Sequence, residues 1–301
     1  MIDKKSGLAN NLLAQLDKLI RHNRQGSYKT RKRYTEAMRR FCIFVASTYR
    51  LQKLANIKEK HIEAYVDFMK EKGLSPAIIK TNLSGTRFWH DQIPSAREKL
   101  PENSTLNLER RNFREKERAW TQGEFNKMIC ICWEQNREDY AAILCLGRYG
   151  GLRIHECFRI YTAIATSAIK SGAITIKGKG GLIRSVPINE NIEICLRDML
   201  KKIPRGHKLF VPYGVPTHKA IKELQQFIAH NRDKVQSSDR DVKLTFHGLR
   251  HLYACDKHRE FTKGKLPEAN TNRKVSQLLG HKRGDITKIY LTSLNRTEVD
   301  S

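Results

Sequence analysis

Four short clusters, widely separated along the chain, carry side chains suited to phosphate chemistry. The first is Gly150-Gly151-Leu152-Arg153-Ile154-His155-Glu156, where paired glycines precede an arginine at an expected helix start. A helix start attracts anions through its unpaired N–H groups, and a guanidinium adds forked donors that match phosphate oxygens. Glu156, three residues on, shares the helical face of Arg153 and is placed to orient a cationic partner. The second cluster is Lys177-Gly178-Lys179-Gly180-Gly181, with Lys179 at a glycine-flanked tip. From such a tip a mobile ammonium can follow a phosphate and protonate a leaving oxygen, although an ordinary exposed turn would read the same. No phosphate-cradling P-loop pattern occurs. The third is His247-Gly248-Leu249-Arg250-His251, in which His247 and Arg250 project to one side of a helix and can meet two non-bridging oxygens, while His251 reads as structural. The fourth is Leu278-Leu279-Gly280-His281, with Tyr290 nine residues beyond His281. A tyrosine in a helical apolar stretch is usually core; Tyr290 draws interest because the other clusters call for a nucleophile.

The elements that must gather these residues are mostly helical. Ser27 precedes a segment with Tyr34, Met38, Phe41 and Val45 on one face and Lys29, Arg31, Lys32, Arg33, Arg39 and Arg40 on the other. A helix from about His61 turns Ile62, Tyr65, Val66 and Met69 inward and stops at Gly73; Ser75-Pro76 then opens another, carrying Ile79, Leu83 and Phe88. With a first helix over residues 8–20, these make a small basic bundle. Residues 94–118 turn polar and read as a connector, after which Thr121 and Glu124 form a capping box. Helices are expected over residues 140–148, 156–165, 193–202 and 218–231. The β-prone runs 173–177 and 182–188 flank the glycine-rich tip as a hairpin.

Charge decides the class of partner. Lys and Arg number 57 against 31 Asp and Glu, a net +26, so a polyanion, and nucleic acid first, is the expected ligand. An anionic membrane is the second candidate. No apolar run approaches the roughly 18 residues that span a bilayer, and the polar start lacks a signal peptide's apolar core. The expectation is a soluble protein of the cytoplasm, associated with the nucleoid and not with membranes. The seven cysteines form no C-x-x-C pair and mostly sit in apolar company, which disfavours structural zinc and fits reduced core thiols.

In this order and these contexts, the residues resemble the tyrosine recombinase (phage integrase) family. The motifs that carry the likeness are G-L-R-x-x-E at Arg153 and Glu156, and G-K-G before a strand ending Val186-Pro187-Ile188. They continue with H-x-L-R-H at residues 247–251 and L-L-G-H with a distal tyrosine at His281 and Tyr290. The catalytic likeness covers about residues 120–291, and the N-terminal helices are similar to the family's core-binding domain more loosely. The resemblance implies a mainly α fold with a small antiparallel β-sheet: a helical, SAM-like core-binding domain over residues 1–100, a linker over 101–118, and an α+β catalytic domain over 119–301.

It also implies roles. Tyr290 would attack the scissile phosphate, giving a 3′-phosphotyrosyl link and a free 5′-hydroxyl; Arg153 and Arg250 would clamp the non-bridging oxygens. Lys179 would be the general acid, His247 would assist proton transfer at the nucleophile, His281 would hydrogen-bond the phosphate, and Glu156 would brace the site. No cofactor and no metal are implied. The partner would be double-stranded DNA with paired binding sites, bound by a tetramer of this chain on synapsed DNA and by a monomer when free. The basic face from Lys29 to Arg40 is the candidate DNA contact. The expected function is site-specific recombination in the integration or excision of a mobile element. A type IB topoisomerase uses similar groups, but the H-x-L-R-H and L-L-G-H contexts favour the recombinase. An inactive DNA-binding accessory protein would need a lost catalytic position, and all are filled. Two departures stand out: residues 260–274 are a longer polar stretch than the family suggests, and only residues 291–301 follow Tyr290.

Overall fold

A computed structural model of the chain describes residues 7–109, 117–178, 181, 183–238, 240–280 and 290. It divides into two compact units, Met1–Asn112 and Phe113–Ser301.

The first unit holds α1 (Gly7–His22), α2 (Tyr28–Tyr49), α3 (Glu59–Glu71) and α4 (Pro76–His90). Ser27, in an extended conformation, starts α2 by accepting from the Thr30 N–H, and Pro76 occupies the first turn of α4. Met38, Phe41 and Val45 from α2 meet Leu12 and Leu16 from α1, with Ile62, Met69, Leu83 and Trp89 from the other helices, in one core. Tyr34 and Phe88 are only half-buried, their rings 5.4 Å apart. On the opposite face Lys29, Lys32, Arg33 and Arg40 are exposed, while Arg31 and Arg39 are half-buried. Arg39 pairs with Asp17 of α1, so its charge is partly satisfied within the unit.

The polar stretch after α4 does not behave as a connector throughout. Leu100 and Leu106 are buried in the N-terminal core, and Arg87 donates to the Pro101 carbonyl at 2.8 Å. Two leucines and one satisfied carbonyl are enough to dock a segment whose composition reads as loop.

The second unit contains α5 (Gln122–Glu134), α6 (Glu138–Gly150), α7 (Ile154–Cys157), α8 (Thr162–Ser171), β1 (Ala173–Lys177), β2 (Ile183–Pro187), α9 (Glu190–Lys202), α10 (Thr217–Val235), α11 (Phe246–Lys263) and α12 (Glu268–Leu279). The expected capping box is formed: Thr121 accepts from the Glu124 N–H at 3.1 Å, and Glu124 accepts from the Thr121 N–H at 2.9 Å. Helix α6 packs against both α9 and α11. Strands β1 and β2 pair antiparallel, in register from Ala173 with Pro187 to Lys177 with Ile183.

The helix expected over 156–165 is broken. Tyr161 bridges to Lys208, Leu209 donates to the Ile160 carbonyl at 2.9 Å and Thr162 donates to the His207 carbonyl at 3.0 Å. Those backbone groups are taken by a distant segment, so α7 stops after one turn. The long polar stretch 260–274 is a helix–helix corner, with α11 ending at Lys263 and α12 beginning at Glu268. Cys42, Cys132, Cys157 and Cys255 are buried as expected of core thiols, but Cys130 is exposed. Among the described residues no helix is long and apolar enough to cross a membrane.

Candidate active site

The site grows from the break between α6 and α7. Gly151 ends α6 in the left-handed region at φ 58°, and a Cβ there would meet the Tyr253 ring at 2.4 Å, so the position admits glycine alone. The turn delivers Arg153 to the N-cap of α7, with its side chain 25% exposed. Glu156, whose carboxylate is fully buried, accepts from the Arg153 N–H at 2.7 Å and from its Nη1 at 3.0 Å. A third donor comes from β2: Arg184 Nη2 reaches Glu156 Oε2 at 2.7 Å. Burial alone would raise the Glu156 carboxyl, but Arg184, then the Arg153 N–H and guanidinium, hold it below its ordinary value. The carboxylate therefore stays ionised and fixes two arginines.

Helix α11 supplies His247 and Arg250 from its first two turns, as the spacing requires. Arg250 is fully enclosed, with Nη1 on the Gly151 carbonyl and Nη2 on the Leu279 carbonyl. Its guanidinium lies 5.7 Å from the Tyr290 ring centroid. Burial and the nearby Arg153 charge lower it to about 10, so it remains a cation at neutral pH. Arg153 lines the cleft, and Arg250 is enclosed beside the tyrosine as buried charge.

Tyr290 is 7% exposed, and its Oη stands 3.3 Å from His247 Nε2. His247 is exposed as a whole residue, but the protein packed around its ring, then Arg250, Arg118 and Arg153, push the ring down to about 4. A neutral ring in the tautomer that leaves Nε2 unprotonated accepts the phenolic proton. His251 stacks on Tyr290, and the Cys255 thiol donates to the Tyr290 carbonyl at 3.4 Å. Beside these residues opens a cleft of about 480 Å³, lined by Arg153, His155, Gln225, Arg232, Thr245 and His247. The Arg153 and Arg232 guanidinium groups give that cleft positive charge, beside an apolar wall of Ile154, Ile228, Leu244 and Phe246.

The structure thus brings together Arg153, Glu156, His247, Arg250 and Tyr290 from three distant stretches of sequence. Lys179 and His281 lie outside the described residues; the strands that flank the Lys179 segment are in place. Sequence reasoning missed Arg184. Its signal was an arginine two residues before Val186, on the same inward face of a strand with alternating burial.

Two mostly helical units, one carrying a small antiparallel hairpin, hold a buried tyrosine beside a histidine and a cluster of arginines. The family model described as phage integrase family matches residues 118–296, and that of phage integrase, N-terminal, matches residues 9–91. The chain belongs to the phage integrase family, the tyrosine site-specific recombinases, and is an enzyme of DNA recombination. No curated protein matches its sequence.

Solved structures share the fold. The Tn1549 transposon integrase in complex with transposon right end DNA is 16% identical with a TM-score of 0.62, covering 96% of this chain and 98% of that one. A λ integrase dimer bound to a COC′ core site is 17% identical with a TM-score of 0.64, over 93% of this chain and 75% of that one. A λ integrase tetramer bound to a Holliday junction gives 16% and 0.63, over 92% and 75%. At these identities the likeness is one of fold.

Proposed function

We propose that this chain is a site-specific recombinase that cuts and rejoins DNA through a 3′-phosphotyrosine at Tyr290, in the integration or excision of a mobile element. The observation that carries the reading is the 3.3 Å approach of Tyr290 Oη to Nε2 of the neutral His247, with the Arg250 cation behind the ring. Oη attacks phosphorus and passes its proton to His247 as the P–O5′ bond breaks. Lys179 protonates the departing 5′-oxygen, while Arg153, Arg250 and His281 offset charge on the non-bridging oxygens. Attack by the 5′-hydroxyl of another strand reverses the step and releases the tyrosine. The phosphoester energy is kept in the covalent link, so no ATP and no cofactor are called for.

The substrate would be double-stranded DNA with paired sites, bound by a monomer that assembles into a tetramer on synapsed DNA. The λ integrase dimer on a core site and tetramer on a Holliday junction support this assembly. The six basic residues Lys29, Arg31, Lys32, Arg33, Arg39 and Arg40 would contact phosphates, and the enzyme would act in the cytoplasm on the nucleoid.

A selection tests this and identifies the target sequence at the same time. Nicked duplexes with a randomised core are incubated with the protein, and detergent-stable complexes are recovered and sequenced. Wild-type protein should enrich one sequence and join strands between two copies of it. Tyr290→Phe, which removes one oxygen, should bind that duplex and form no adduct. An adduct that persists in Tyr290→Phe, or maps to another tyrosine, overturns the reading; relaxation of supercoils without strand exchange would favour a topoisomerase.

A further inference from the structure

We infer that Arg184 is a positioning residue, the tie that sets the Arg153–Glu156 pair and the C-terminal end of α12 in register. This rests on the proposed reading of Arg153 and Tyr290 as parts of the cleavage machinery. Arg184 projects inward from β2 with its side chain only 6% exposed, so it reaches neither DNA nor solvent. Its two Nη atoms are divided between two elements. Nη2 donates to Glu156 Oε2 at 2.7 Å, and Nη1 donates to the carbonyl of Leu278.

The Leu278 contact is half of a pair. Arg250 donates to the adjacent carbonyl, that of Leu279, so two guanidinium groups from different elements cap the last turn of α12. Helix C-termini favour cations and leave carbonyls in need of donors. Gly280 then turns the chain in the left-handed region at φ 63°, and a Cβ there would lie 2.7 Å from Arg184 Cδ. Glycine at 280 thus serves the turn and admits the Arg184 stem. The next residue is His281, and the tip bearing Lys179 joins the strand on which Arg184 sits to its partner. One buried side chain therefore touches both Glu156 of the first cluster and Leu278 of the fourth.

The charge balance gives Arg184 a second effect. Glu156 faces both Arg153 and Arg184. Without Arg184 the carboxylate loses one of its two guanidinium partners, and Arg153, already 3.0 Å from it, is held more tightly to Glu156 and less free to meet phosphate. The loss should therefore fall on stabilising charge at the scissile phosphate rather than on DNA affinity.

The experiment uses the full-length protein and the duplex enriched by wild-type selection, with either an ordinary scissile phosphate or an uncharged methylphosphonate. Arg184→Lys keeps one contact and Arg184→Met keeps none. Single-turnover adduct formation at saturating protein should fall about 10-fold in the first and about 100-fold in the second, with Kd within about threefold of wild type. On the methylphosphonate, which places less negative charge on the attacked centre, the deficit should shrink to a few-fold. Arg184→Met combined with Glu156→Gln, which removes the carboxylate charge that holds Arg153, should recover rate relative to Arg184→Met alone. Equal deficits on both substrates, or wild-type rates in both variants, would overturn the assignment. So would an Arg184→Lys protein that has lost its cooperative melt, since the residue would then serve folding alone. Absence of any adduct with wild-type protein would instead sink the proposed function on which the inference rests.

Discussion

Tyr290 lies on the face of His251, with ring centroids 4.3 Å apart and planes inclined by 25°. Both side chains are buried, and His251 is uncharged at neutral pH because burial, then His247 and Arg118, push it down to about 3. The stack fixes the plane of the phenol, and His247, one turn earlier on α11, takes its Oη. Residues four apart on one helix thus supply a platform and a proton acceptor for the same tyrosine.

If the stack orients the nucleophile, an aromatic ring should be the requirement at position 251. His251→Ala should lower stability by about 2–4 kcal/mol through lost packing and slow adduct formation by roughly tenfold. His251→Phe keeps the ring face and should recover most of the rate. Thermal melts and single-turnover adduct assays would measure both. Equal rates in the alanine and phenylalanine variants would show that the stack does not orient Tyr290.

The two histidines also set a pH signature. Folding lowers His247 to about 4 and His251 to about 3, from an ordinary value of 6.5. Below 6.5 the unfolded chain binds protons that the folded one refuses, so stability is complete above pH 6.5 and is lost as pH falls toward 4. Denaturant midpoints should fall across that window, and His251→Phe should flatten the curve. In the same window His247 remains neutral in the folded protein, so kcat/KM for cleavage should hold down to about pH 5 as far as the base is concerned. An acid limb centred near 6.5 would mean that neither the packing nor the arginines lower the ring.

How much of this was legible in the sequence depended on whether the signal was local. The Ser27 and Thr121 caps, the Pro76 start and the hairpin strands follow from short-range chemistry, and the structure has them. The one-turn α7 was not legible, because pairing of Tyr161 with Lys208 joins residues 47 apart (208 − 161 = 47). Docking of Leu100 and Leu106 was hidden by polar neighbours. In the candidate site, the residue types of Arg153, His247, Arg250 and Tyr290 were readable as motifs. That Arg250 would be enclosed and Arg153 open was not, since burial depends on the α12 carbonyl that Arg250 meets.

The net charge of +26 predicts affinity dominated by phosphate contacts. If six to ten phosphates are engaged, binding should weaken by about 10³ to 10⁵ between roughly 50 and 200 mM salt. The exposed residues Lys29, Lys32, Arg33 and Arg40 should each lower the slope by about 0.9 when changed to glutamine, if each meets one phosphate. Arg39, already paired with Asp17, should matter less. Salt titrations of fluorescence anisotropy on the enriched duplex would measure this. A flat response would remove phosphate contact as the basis of binding.

Lys179 is the residue whose proposed role separates chemistry from binding most sharply. Strands β1 and β2 end at Lys177 and begin again at Ile183, and the glycine-rich link between them carries Lys179. An ammonium donating to O5′ is needed only because an alkoxide is a poor leaving group, whereas a thiolate leaves without protonation. Lys179→Ala should therefore bind the enriched duplex with unchanged Kd and cleave it about 10²–10⁴-fold more slowly. A duplex with sulfur in place of the bridging 5′-oxygen should restore cleavage to near the wild-type rate. Arg153→Ala should gain nothing from that sulfur, because its task is the charge on the non-bridging oxygens and not the leaving group. The pair of variants on the two substrates makes the assignment specific. Intact binding with no rescue of Lys179→Ala by the sulfur substrate would remove the residue from the leaving-group role, and rescue of both variants alike would show that the substitution merely eases a common barrier.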